Sequence, residues 1–113
     1  MNEVRLEQVP VQSFAELVGS AFTVEIPASH SLSLKLTAVT EPRTSAPTQA
    51  GSQYETFSLF FEGPADRPLA QRIYTFIHSK LGSFDLFIVP VAREQGRLQY
   101  EAVFNRLRTQ SKL

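Results

Sequence analysis

The stretch LGSFDLFIVPVAREQGRLQYEAVFNRL, residues 81–107, decides the fold. It holds two apolar runs separated by a break that contains Gly96. The second run alternates: Leu98, Tyr100, Ala102 and Phe104 fall on one side, and Arg97, Gln99, Glu101, Val103 and Asn105 on the other. A period of two is the mark of a half-buried strand. Residues 97–105 therefore read as a strand whose aromatic face meets the core and whose Glu101 lies on a mostly polar, wet face. The first run is different, because Phe84, Leu86 and Ile88 share one face while Phe87, Val89 and Val91 load the other. A strand that is apolar on both sides is central or lies beneath another element. The expected cover is the N-terminal helix or a neighbouring loop. Pro90 lacks a ladder donor and marks a bulge or an edge. Asp85, directly after the Gly82–Ser83 turn, is placed to cap backbone N–H groups there.

Working outward, the same period recurs. Phe22, Val24 and Ile26 alternate with polar residues over 21–26, and Leu32, Leu34, Leu36 and Ala38 do so over 31–39, with PASH (27–30) as the hairpin turn. Residues 54–62 and 72–79 complete the set. The short connections SKLG and REQG join the last three strands into a meander. One segment has the helical period instead: in SFAELVG, residues 13–19, Phe14, Leu17 and Val18 share a face. Ser13 and Glu16 have the spacing of a capping box, and Gly19 is a natural terminator. The expectation is a mainly β (α+β at most) single domain, 1–113: a small antiparallel six-stranded barrel or sandwich with one short N-terminal helix. Residues 40–53, with two prolines and no periodicity, read as a mobile loop, and 107–113 as a frayed tail.

Composition narrows the function classes. The chain is 113 residues long with 42% apolar residues, nine Phe and three Tyr, enough for an aromatic core without disulfides or metals. It has no cysteine, which removes thiolate nucleophiles and zinc–thiolate sites. Eleven basic and eleven acidic side chains cancel, against the basic excess that phosphate neutralisation requires, so nucleic acid is not an expected partner. The basic residues of NRLRTQSKL, Arg106, Arg108 and Lys112, read as a solvated tail. No apolar run spans a membrane and no signal-peptide pattern opens the chain, so a cytoplasmic protein is expected.

No catalytic motif is present. No Ser lies in a G-x-S-x-G elbow, and there is no P-loop, dinucleotide fingerprint or H-E-x-x-H. His30 and His78, without a third clustered ligand, do not make a metal site, and neither a metal nor a cofactor is expected. Asp85 and Glu101 could serve acid–base chemistry only as a dyad, and their strand positions do not oppose each other. Two function classes remain. The first is a non-enzymatic protein-interaction or assembly module, using a sheet edge, self-association, or the loops that carry Arg43, Asp66 and Arg67. The alternative is a small-molecule-binding barrel, enzymatic or not, with a pocket near Tyr54, Tyr74 and Glu101.

The chain also resembles a known family. Tyr54, Phe57, Ser58, Leu59, Phe61, Gly63 and Pro64, then Tyr74, His78, Leu81, Gly82, Phe84, Leu86, Phe87, Val89, Pro90 and Val91, then YEAVFN (100–105), are similar to the pattern of a family of small bacterial domains of unknown function. Phe14 to Val24 extends the likeness, which covers about half the chain. One departure is AQRIY (70–74), where members carry a glycine-containing turn before the tyrosine. The resemblance supplies no catalytic residues and tilts the reading toward an interaction role.

Overall fold

The structure is a computed structural model and describes residues 5–46 and 52–109. A 3₁₀ turn, Leu6–Gln8, and a short helix α1, Val11–Ala15, precede seven strands: β1 (Ala21–Glu25), β2 (Leu32–Val39), β3 (Arg43–Thr44), β4 (Ser52–Pro64), β5 (Arg72–His78), β6 (Gly82–Glu94) and β7 (Arg97–Thr109). All pairings are antiparallel. The sheet runs β2-β1-β5-β6-β7-β4-β3, and the additional pairing of β2 with β4 closes six of the strands into a barrel. Of the two architectures open from sequence, the barrel is the one formed. β3 stays outside it, as a two-residue addition to the flank of β4.

A barrel this narrow is filled by its own side chains. Phe22, Leu34, Leu36, Phe61, Phe76 and Tyr100 are fully buried in it. Phe22 meets Phe61 edge-on, with ring centroids 5.4 Å apart, and Phe61 lies 5.2 Å from Phe76. Edge-to-face and tilted contacts are the arrangements that aromatic quadrupoles favour. Tyr100 brings a hydroxyl into this interior, and the backbone N–H of Leu69 donates to it at 3.0 Å. A second aromatic group seals one end of the barrel. Phe57 and Phe104 stack 4.8 Å apart across β4 and β7, and Phe14 of α1 packs on both.

The helix differs from its expected form. It begins after Pro10 and ends at Ala15, two residues earlier than the pattern places its start. Pro10 is the N-cap, with no side-chain capping bond, so Ser13 lies inside the first turn and the Ser13–Glu16 box does not form. Helical turns continue to Gly19, whose φ of +97° is the left-handed conformation of a terminating glycine. Leu17 N–H bonds Phe14 O, and Ser20 N–H bonds Leu17 O. The next bonds, Gly19 N–H to Leu36 O and Leu36 N–H to Ser20 O, tie this end to β2.

The tail expectation is corrected in part. β7 pairs with β4 without interruption from Pro64↔Arg97 to Ser52↔Thr109, so the backbone of 107–109 lies in the ladder. The remainder of the expected tail, 110–113, lies outside the described residues. Of the expected mobile loop, Arg43–Thr44 pair with β4, 52–53 belong to β4, and 47–51 lie outside the described residues. β6 bulges between Pro90 and Ala92. Pro90 fits there because the β5–β6 ladder has already ended at Arg72↔Ile88.

Candidate functional site

The most distinctive surface is the outer face of β5, β6 and β7. Ile73 and Phe87 are cross-strand partners, and Val103 lies two residues beyond Glu101, the partner of Val89. All three point outward, Phe87 and Val103 between buried neighbours and Ile73 beside buried Tyr74, with exposures of 62% for Ile73, 47% for Phe87 and 62% for Val103. Val91 adds a fourth exposed apolar side chain further along β6. Exposed apolar side chains gathered on one side of a barrel are the kind of surface that is often functional. This corrects the expected cover over the second face of β6. The helix does not lie on it, because Phe14 and Leu17 are engaged in the core at the barrel end.

The residues singled out from sequence are not brought together. Tyr54 is 44% exposed on β4, opposite Leu107. Glu101 is opposite Phe60, six residues further along β4, a separation of roughly 20 Å at the rise of a strand. Tyr74 is buried on β5, where its hydroxyl donates to Ala70 O at 2.9 Å. It therefore faces the inside of the barrel, whereas Glu101 faces outward. Glu101 accepts a 2.6 Å hydrogen bond from Ser58 Oγ. The expected wet carboxylate is thus half-buried and anchored to its cross-strand neighbourhood.

Asp85 does not cap the turn. It lies opposite Thr75, whose Oγ1 donates to it at 2.9 Å, while Glu101 lies opposite Val89. Arg67 reaches from the β4–β5 loop to the β1–β2 turn, donating to His30 O at 2.9 Å. Arg43 and Asp66 are exposed. A cleft of about 430 Å³ opens where β1 leaves β5 after Glu25↔Thr75; Glu25, Ile26, Arg72 and Tyr74 are among its lining.

Two polar clusters were not legible as such in the sequence. Arg106, read as part of a solvated tail, is an anchor. Its Nη1 donates to Leu6 O at 2.9 Å and Val9 O at 2.6 Å, and its Nη2 to Glu55 Oε1 at 2.8 Å. Its guanidinium also sits 4.9 Å from the centre of the Phe57 ring. The second cluster pairs Ser20 Oγ with His78 Nε2 at 3.0 Å. It resembles a nucleophile and its base, but the proton positions oppose that role. His78 Nδ1 accepts the backbone N–H of Lys80 at 3.0 Å, so in the neutral ring Nε2 carries the hydrogen and donates to Ser20. Ser20 in turn donates to Leu17 O at 2.6 Å. A base must accept the serine proton, and this tautomer cannot. Burial, and secondarily the charge of Lys80, holds the His78 pKa below its usual value, which keeps the ring neutral.

Among the described residues, no three His, Asp or Glu side chains gather into a metal-binding group, and no helix is long and apolar enough to cross a membrane. The class is thus a closed antiparallel β-barrel with an aromatic-filled interior and an apolar outer face. The family model of DUF6916, a domain of unknown function, matches residues 9–104, and the chain belongs to that family. Neither curated proteins nor solved structures gave a match.

Proposed function

We propose that this barrel is a non-enzymatic protein-interaction or assembly module that works through the outer face of β5–β6–β7. The observation that carries this reading is the outward row of Ile73, Phe87 and Val103. Ile73 and Phe87 face each other on paired strands, and Val103 lies on β7 just past the end of its pairing with β6. Burial of such apolar side chains drives association at about 25 cal/mol per Å² before the costs of binding are deducted. The interior offers no comparable opportunity, being occupied by Phe and Tyr rings. The alternative, a small molecule held by Tyr54, Tyr74 and Glu101, loses support because those side chains lie on different faces. The cleft beside Tyr74 is the one feature that favours it.

The test is capture of protein partners from cells that carry this chain, comparing wild type with Ile73→Asp/Phe87→Asp. Both positions are exposed but face each other across β5 and β6, so the double variant is expected to fold with a loss of about 1–2 kcal/mol from the like-charge pair and the lost cross-strand contact. A stoichiometric partner held by the wild type and lost from the variant supports the module. Equal capture by both removes the face from the function.

A further inference from the structure

We infer that a second copy of this chain docks on the free edge of β7, joining two barrels through a continuous antiparallel sheet. This rests on the reading of the domain as an assembly module but uses different atoms, the backbone of residues 102–109 in place of the outer side chains. β6 leaves β7 after the Val89–Glu101 pair. Among the described residues, Ala102–Thr109 therefore pair on one side only, with β4.

The direction of the unpaired groups follows from two hydrogen bonds. Ser58 N–H donates to Thr40 Oγ1 at 2.8 Å, and Ser58 O accepts the N–H of Thr40 at 2.9 Å. Both backbone groups of Ser58 thus point away from β7, so Ser58↔Val103 is a non-hydrogen-bonded pair of the β4–β7 ladder. Val103 then directs its own N–H and C=O away from β4. Asn105 and Leu107 do the same by alternation. The bond from Ser45 N–H to Tyr54 O, on the partner of Leu107, has the same sense. Three consecutive donor–acceptor sets therefore line one straight edge.

Proteins blunt such edges with short strands, prolines and bulges. The chain does so elsewhere: β3 is two residues long, and β6 carries Pro90 and a bulge where its pairing with β5 has stopped. Residues 102–109 hold no proline, and their ladder with β4 has no register shift.

A second copy fits this edge without charge conflict. A two-fold axis at Asn105 sets 103 opposite 107, Phe104 opposite Arg106 and Ala102 opposite Arg108, so no basic residue faces another. Arg106 is already neutralised by Glu55, and the chain carries no net charge to oppose self-association. The pairing would form about six backbone hydrogen bonds from groups that otherwise face water.

Sedimentation of the full chain from about 1 to about 200 µM, with amide exchange at both ends of that range, tests the proposal. The expected species at high concentration is a dimer of about 25 kDa, twice the 12.7 kDa chain. In it the amides of Val103, Asn105 and Leu107 exchange about tenfold more slowly, or slower still, than in the dilute sample. Asn105→Pro removes an N–H from the free edge but none from the β4 ladder. Apart from the exposed hydrogen bond that Thr56 Oγ1 donates to the Asn105 side chain, it keeps the fold. It should give, at every concentration, a monomer that melts close to the dilute wild type. Ile73→Asp/Phe87→Asp should remain a dimer, which separates failure of this edge from failure of the outer face. A monomer throughout the range, or protection at 103–107 that does not change on dilution, overturns the proposal.

Discussion

Arg106 shows how much of this fold depends on one side chain. It bonds two carbonyls of the N-terminal segment and one carboxylate of β4, while lying over the Phe57 ring. Arg106→Met keeps the apolar stem but leaves these acceptors without their donor, with Glu55 only 16% exposed. The expected cost is about 3 kcal/mol in denaturant unfolding. Arg106→Lys should not restore it, because an ammonium cannot span three acceptors in a fork. Glu101→Gln, by contrast, keeps an oxygen to accept the Ser58 hydroxyl and should change stability by about 1 kcal/mol or less. His78 predicts a pH effect. Its folded pKa lies below 6.5, so as the pH falls through 6.5 the unfolded chain takes up the proton first and stability is lost. Melting temperatures at pH 7.5 and 5.5 should fall further apart in wild type than in His78→Gln, and an equal fall in both would exclude this role. Neither cluster could be read from sequence. The acceptors of Arg106 lie 100, 97 and 51 positions away, and Ser20 meets His78 only once β1 and β5 have paired.

At the scale of the element, alternation was readable because a half-buried strand writes its facing into every second residue. Leu98, Tyr100, Ala102 and Phe104 are all buried, as the pattern requires. Phe104→Ala should therefore cost about 3–5 kcal/mol, since it removes one ring from the Phe14–Phe57–Phe104 stack. A chemical denaturation giving less than the loss from Glu101→Gln would refute this facing. The far ends of β4 and β7 were not readable, because Ser52, Gln53, Arg108 and Thr109 are polar and carry no alternation, although they continue the ladder. The start of the helix was misread for a related reason, as local capping chemistry at Ser13 yields to the chain direction set by Pro10. One close approach also escapes the pattern. A Cβ on Gly63 would meet Leu34 Cδ2 at 2.5 Å, and Leu34 is fully buried. Gly63→Ala is expected to cost about 1–3 kcal/mol through overpacking, with part recovered when Leu34→Val is added. A melt of the double variant no better than that of Gly63→Ala would contradict this.

For the whole molecule, closure is a non-local event. Whether six alternating strands make a barrel or a sandwich depends on β2 finding β4 and β1 finding β5, across separations that no local period records. The outer face shows the same limit. The second apolar side of β6 was visible in Phe87, Val89 and Val91, but sequence could not tell whether the chain covers it, and α1 is engaged at the barrel end instead. On the proposed reading, this neutral chain with a filled interior acts through its exposed apolar side chains. The most direct measurement is photo-crosslinking in living cells, with a benzophenone amino acid at position 87 and, as control, at exposed Glu94. A discrete protein adduct from position 87 and none from 94 is the outcome expected of an interaction module. No adduct from 87, or the same adducts from both positions, would contradict it.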